Sequence, residues 1–360
     1  MPKTYEIQEI SVDNRSALGK AGFMNGDDRL NLPFVNDLSQ LPRTFAETIA
    51  QIEKAALQRL AEEADRKKLY YHTETHIRNV QRRSHQIFDA IYPALTQEAA
   101  ANSTPIDLER MRRLLNLCAV AHDMVQLFEH NPQGHMARRR TPGVSEIATI
   151  EELVAYIHQT NQQLEQQNSS HARLTETDIA IIREAIHATI CAYDSQEQAI
   201  YQPLLYDPQQ SPAIVTRILA LADIGALGMD GIEVYNQEGS LLFLEENPDV
   251  ISLLQDGTLY QLEETNPALA QNIRQRLLSR CRFQVNFAKS RLARIEPELQ
   301  GFPEAAIPVL RHEIFKYLTP ETVRRVEAIT PTDNGTGLGK LLQFFRFEQY
   351  LDLEIEELEV

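Results

Sequence analysis

Apolar positions in residues 1–43 show no helical spacing. TYEIQEISV alternates, and Gly, Pro and Asn are scattered as far as Pro42. The pattern predicts an N-terminal arm, or short strands laid on a main body. From Phe45 the spacing becomes helical. FAETIAQIEKAALQRLAEEADRKKL predicts one helix, and Thr73 is placed to cap a second that runs to about Ile91. Pro105 and Asp107 open a third, whose segment LLNLCAVAHDMVQLF (114–128) is almost wholly apolar and reads as a buried helix throughout. After the loop NPQGHMARRRTPG comes a helix from about Ser145 to Gln163, followed by the polar linker NQQLEQQNSSH. TETDIAIIREAIHATICAY follows with a capping signal at its start, and Pro212 begins AIVTRILALADIGALGM. A connection containing Gly and Asp leads to the long helix ALAQNIRQRLLSRCRFQVNFAKSRLARI, with two or three shorter helices to finish.

No repeat period, sustained heptad or βαβ alternation is present, so the expected fold class is all-α, an irregular helical bundle with additions at both ends. The organisation expected is an arm over residues 1–43, a catalytic core over 44–230, and a helical C-terminal extension over 231–360. The extension carries no legible chemistry. It is expected to pack on the core, and a contact between copies of the chain is the other use for its helices.

Composition narrows the possible partners. A chain with 43% hydrophobic residues can bury a core, and 35 basic against 51 acidic residues leave a net charge of −16. That balance argues against binding nucleic acid through its phosphates and against attachment to an anionic membrane. Cys118, Cys191 and Cys281 are far apart and sit in apolar sequence, as small core residues do. The N-terminus has no apolar core of the signal-peptide kind, and no stretch approaches the roughly 20 apolar residues of a membrane span. The expected location is therefore the cytoplasm.

Three segments place polar groups where apolar ones belong. His72 and His76 lie in YHTETH, just outside and just inside the start of a helix, and can face one cleft. His122 and Asp123 interrupt an apolar helix, where an ionised Asp costs several kcal/mol unless a metal or hydrogen bonds compensate. Asp223 interrupts LALADIGAL in the same way. Singly, these have structural explanations: a surface His, a buried His–Asp pair, an interior cap. Together they offer a mixed N/O donor set from separate helices, suited to Mn, Fe, Zn, Ni or Co and acceptable to Mg.

The ordered pattern His … His-Asp … Asp resembles the HD superfamily of metal-dependent phosphohydrolases. Tyr71-His72-Thr73-x-x-His76 is also similar to the Tyr-His-Asn-x-x-His segment of cyclic-nucleotide phosphodiesterases in the wider clan. The similarity covers about residues 65–230. It implies a centre of one or two divalent ions ligated by His76, His122, Asp123 and Asp223, with His72 protonating the leaving oxygen. It also implies hydrolysis of a phosphomonoester or phosphodiester, a nucleotide or other small phosphorylated metabolite, by metal-activated water. Asp123 would orient that water or bridge two ions.

Further candidates are Glu146 and His187 as additional metal or site residues, and Arg138, Arg139 and Arg140 as phosphate contacts, with Arg78 and Lys289 behind them. Departures from the pattern matter. Gln126 stands where HD-type 5′-nucleotidases carry Glu, the acidic pair of guanosine-polyphosphate hydrolases is missing, and no Gly-Tyr-Pro occurs. GTGLGK (335–340) imitates a phosphate loop, but Asn334 and Leu341 break its spacing. Two other readings stay open: an HD-type di-iron oxygenase, needing His187 plus Glu146 or His158 as ligands, and a non-catalytic nucleotide-binding regulator.

Overall fold

The computed structural model describes residues 42–102, 106–129 and 135–351. The expected N-terminal arm lies almost wholly outside these residues. The protein is all-α, with one short hairpin among the described residues, and these residues fall in one compact unit. The main helices are α1 (Phe45–Lys67), α2 (Glu74–Asn102), α3 (Leu108–Ala121), α4 (Val144–Gln166), α5 (Glu176–His187), α6 (Ile214–Asp223), α7 (Ile232–Glu246), α8 (Pro248–Gln255), α9 (Pro267–Leu299), α10 (Pro320–Ile329) and α11 (Leu338–Phe345).

Local sequence explains most of these boundaries. Thr44 caps α1 by accepting from the Glu47 amide, and Asp107 caps α3 through Arg110. Thr175 and Asp178 form a complete capping box at α5, as the Thr-x-Thr-Asp signal predicts. Three expectations need correction. The second helix runs past Ile91 to Asn102 with Pro93 inside it. The α5 helix stops at His187, and the following sequence forms strands β1 (Ala192–Asp194) and β2 (Ala199–Tyr201), paired antiparallel. The apolar segment 114–128 is helical only to Ala121. Beyond it, the amides of Val125, Gln126 and Leu127 donate to Thr149 Oγ1 (3.2 Å), Glu63 Oε2 (3.4 Å) and Ser145 Oγ (3.0 Å). Side chains of α1 and α4 thus take the donors that a continuing helix would use.

The central layer is α3, which packs on α1, α2, α5 and α6. Leu115, Leu117, Cys118, Ala119 and Ala121 are fully buried there. A second apolar cluster gathers α7, α8, α9 and α11, with the rings of Phe243, Phe345 and Phe347 stacked at 5.3–5.6 Å. The described part of the extension, residues 231–351, belongs to the same compact unit as the core. Arg83 of α2, fully buried, ties the two together through Asp230 (2.7 Å) and Glu238 (2.5 Å). Of the phosphate-loop imitation, residues 335–337 form a loop and residues 338–340 are already the first turn of α11.

Candidate metal centre

His76, His122, Asp123 and Asp223 converge, each offering one ligand atom within 4.8 Å of the others. His76 projects from the first turn of α2, His122 and Asp123 follow the last residue of α3, and Asp223 is the last residue of α6. The His-Asp pair therefore lies at a helix end, not in mid-helix as the sequence suggested. There the chain turns, and both side chains reach the same point.

The distances within the cluster carry chemical information. His122 Nε2 and His76 Nε2 lie 3.0 and 3.2 Å from Asp123 Oδ2, and 3.6 and 3.5 Å from Asp223 Oδ1. Yet both Nε2 atoms are buried without a hydrogen-bond partner. Ligands held about 2.1 Å from one cation stand roughly 3.0–3.4 Å apart at octahedral or tetrahedral angles. The two N–O edges to Asp123 fall in that range, those to Asp223 exceed it by 0.1–0.2 Å, and neither Nε2 has a hydrogen-bond partner. The residues present fit a divalent cation.

Hydrogen bonding prepares His122 for this role. Its Nδ1–H donates to the Ala119 carbonyl (2.9 Å), which leaves Nε2 as the lone-pair nitrogen. Asp123 Oδ1 accepts from Gln126 Nε2 (3.1 Å), so this amide orients a candidate ligand. Burial raises the cost of charge on all four groups, but the imidazoles and carboxylates support one another. The carboxylates hold His76 above the ordinary histidine range and His122 well above it. Asp123 is held well below the carboxylate range, and Asp223 is lowered to about 2.

A pH dependence follows from these directions. A metal must displace protons from His76 and His122, while the carboxylates are already ionised. Metal affinity should therefore rise with pH through neutrality and level off above the raised imidazole values. On the acid side it should fall by up to about a hundredfold per pH unit while both protons are displaced. Metal-binding isotherms at a series of pH values check this; a flat profile between pH 5 and 8 would contradict it.

No family model, curated protein or solved structure matches this chain. The functional case therefore rests on the site itself.

Beside the cluster stands His72, 95% buried, with Nε2 3.8 Å from Asp123 Oδ2. Its Nδ1 lies 2.5 Å from Glu245 Oε1 at the end of α7. Glu245 Oε2 accepts from the amides of Tyr70 (3.2 Å), Tyr71 (3.0 Å) and His72 (3.0 Å). One carboxylate from the extension thus fixes both the His72 ring and the backbone that presents it. Burial opposes its charge, but His72, Arg140 and the amides lower its pKa to about 2. Sequence reasoning missed Glu245. The available signal was an acid directly following the apolar run Leu241–Leu244, where a charge needs a partner.

The secondary candidates divide. Arg140 donates to Gln126 Oε1 (2.7 Å) and lies 2.9 Å from His72 Nε2. Burial disfavours its charge, but Glu245, Asp123, Glu246 and Glu146 favour it more. Arg138 donates to the carbonyls of Glu245 and Lys67, so its guanidinium is used in holding loop to helix. Arg139 is exposed. Arg78 and Lys289 pair at the surface with Glu74 and Glu327. Glu146 borders the same cavity as Asp123 and Asp223, where burial, and then those two carboxylates, push its pKa up despite Arg140. His187 is exposed at the end of α5 and stands outside the cluster, as does the exposed His158. The di-iron reading thus finds its extra imidazole at neither position.

The centre opens into a cavity of about 1000 Å³. Asp123, Asp223 and His72 line it, and so does Arg140. The arrangement offers a site for a cation, an oriented imidazole and a guanidinium, all lining one space.

Proposed function

We propose that the protein is a metal-dependent phosphohydrolase of the HD superfamily, acting on a small phosphorylated metabolite such as a nucleotide. The observation that carries this reading is the convergence of two unpartnered imidazole nitrogens and two carboxylates beside a buried, oriented histidine.

His76, His122, Asp123 and Asp223 would hold one divalent cation. Such a cation supplies Lewis acidity, polarising a phosphoryl oxygen and making water a far stronger acid. Asp123 and Gln126 then define the polar edge on which the attacking water is oriented. Arg140 brings a permanent positive charge to the phosphoryl oxygens, where in-line transfer spreads negative charge. Its present contacts, the His72 ring and the Gln126 amide oxygen, are single contacts that an incoming anion outcompetes. His72 delivers a proton from Nε2 to the leaving oxygen, while Glu245 stabilises the imidazolium through Nδ1–H and holds the ring in place.

No described helix is long and apolar enough to cross a membrane. The three cysteines are free thiols, in keeping with the reducing cytosol where we place the reaction.

The test is turnover of a panel: aryl phosphate monoesters, aryl phosphodiesters and nucleoside monophosphates, with Mn, Fe, Zn, Ni, Co and Mg each added to chelator-stripped protein. Hydrolysis that vanishes with chelator and returns with metal is expected. Protein that binds metal yet hydrolyses none of the panel would sink the reading.

A further inference from the structure

The cavity over Asp123 and Asp223 is larger than a phosphoryl group needs. Pockets of roughly 300–1,000 Å³ enclose whole drug-sized ligands, and this one measures about 1000 Å³. Part of its wall comes from α9, where Arg280, Phe283, Gln284 and Phe287 line it. These positions are spaced i, i+3, i+4, i+7, so they share one face of the helix.

Two polar groups on this face have buried atoms left without hydrogen-bond partners by the fold. Gln284 is 1% exposed, and neither its Oε1 nor its Nε2 has a hydrogen-bond partner. Gly239 of α7 makes room for that amide, since a Cβ there would stand 2.2 Å from Gln284 Nε2. Leaving a buried amide unsatisfied costs free energy that packing alone does not justify. Arg280 has a side chain only 12% exposed and a buried, unpartnered Nε; its nearest carboxylate, Glu246, lies 3.9 Å away, beyond hydrogen-bond reach. Arg276, one turn earlier, shares an unpartnered Nε, but both its Nη atoms bond Asp249, at 2.9 and 2.7 Å, whereas the Arg280 guanidinium makes no hydrogen bond to the described residues. The Arg280 guanidinium instead rests over the Phe283 ring at 5.3 Å, which keeps it extended beside the cavity. Consecutive residues of α7 address two places: Glu245 turns to His72, and Glu246 lies nearest Arg280.

We infer that this face of α9 is a second anion subsite. The substrate of the proposed phosphohydrolase carries, besides the phosphoryl group at the metal end, a second acidic group, either phosphate or carboxylate. Arg280 receives that group with its guanidinium fork, and Gln284 donates from Nε2. The apolar middle of the molecule lies along Phe283 and Phe287, whose rings stack at 5.8 Å. The inference rests on the phosphohydrolase reading only for what occupies the metal end.

Non-hydrolysable probes test it without turnover. Binding to the full, metal-loaded chain is measured by calorimetry for three series of increasing chain length: alkyl monophosphonates, α,ω-alkane bisphosphonates and ω-phosphonocarboxylates. At a matching length, a doubly acidic probe should bind at least about tenfold more tightly than the monophosphonate of the same length. Which of the two doubly acidic series gains more identifies the second group. Arg280→Met should abolish the gain while monophosphonate affinity stays within about twofold. Arg280→Lys, which keeps the charge and the stem, should retain part of it. Equal affinity across the series at every length, or a gain that survives in Arg280→Met, would overturn the inference. A gain found in protein that hydrolyses no phosphoester would leave the subsite standing and remove the proposed activity; turnover of aryl phosphates without any gain would do the reverse.

Discussion

Asp123→Ala is expected to lose bound metal and turnover together, with kcat lower by on the order of 10³-fold. Asp123 Oδ2 is the cluster carboxylate oxygen nearest both imidazole nitrogens, at 3.0 Å from His122 Nε2 and 3.2 Å from His76 Nε2. Removing it leaves two imidazoles and one carboxylate, and frees the Gln126 amide that oriented it. The Lewis acidity the cation supplies is worth several kcal/mol, and each 1.4 kcal/mol or so is a factor of ten in rate. Elemental analysis of wild type and variant, purified side by side, reads the metal; steady-state kinetics on the same samples read the rate; circular dichroism establishes that the helices remain. A variant that keeps its metal and its rate would remove Asp123 from the site.

His72→Asn is expected to separate the two losses. Its metal content should match wild type, while kcat falls by about 10²–10⁴-fold, the range a positioned general acid contributes. The loss should depend on the leaving group. A nitrophenolate departs without a proton, whereas an alkoxide needs one, so the variant should be far more impaired on alkyl phosphates than on nitrophenyl phosphate. A plot of log kcat against leaving-group pKa should therefore be steeper for the variant. Parallel plots would mean that His72 serves binding or folding rather than proton delivery. Because Glu245 holds both the His72 ring and three consecutive amides, the role assigned to His72 depends on a residue 173 positions away.

Much of the helical framework was legible in the chain because caps and apolar spacing agree. Thr44, Asp107 and Thr175–Asp178 each cap the helix that their position announces. His122, Asp123 and Asp223 were also legible, since charged or polar groups inside apolar runs demand compensation, and His76 was marked by its spacing from His72 in YHTETH. Their placement was not. Periodicity carried the third helix through Phe128, but side chains of α1 and α4 capture the backbone donors at 125–127, and no local pattern announces partners 18 to 63 positions away. The hairpin after α5 was missed for a similar reason, with its apolar residues continuing a helical spacing while backbone pairing is made across a turn. Arg138 and Arg140 look alike in MARRR. Only tertiary packing sends one to the carbonyls of Glu245 and Lys67 and the other to His72 and Gln126. The extension from 231 appeared chemically silent because its contributions, Glu238, Glu245, Arg280 and Gln284, act through contacts with distant elements or by lining a shared cavity.

The most direct test is crystallographic. Crystals of the chelator-stripped protein soaked in Mn, Fe or Zn, with anomalous differences recorded above and below each edge, would show where the cation binds. A single peak about 2.0–2.3 Å from His76 Nε2, His122 Nε2 and a carboxylate oxygen each of Asp123 and Asp223 is the result expected. An empty map between these four side chains with all three ions, or a peak held by other residues, would contradict the account.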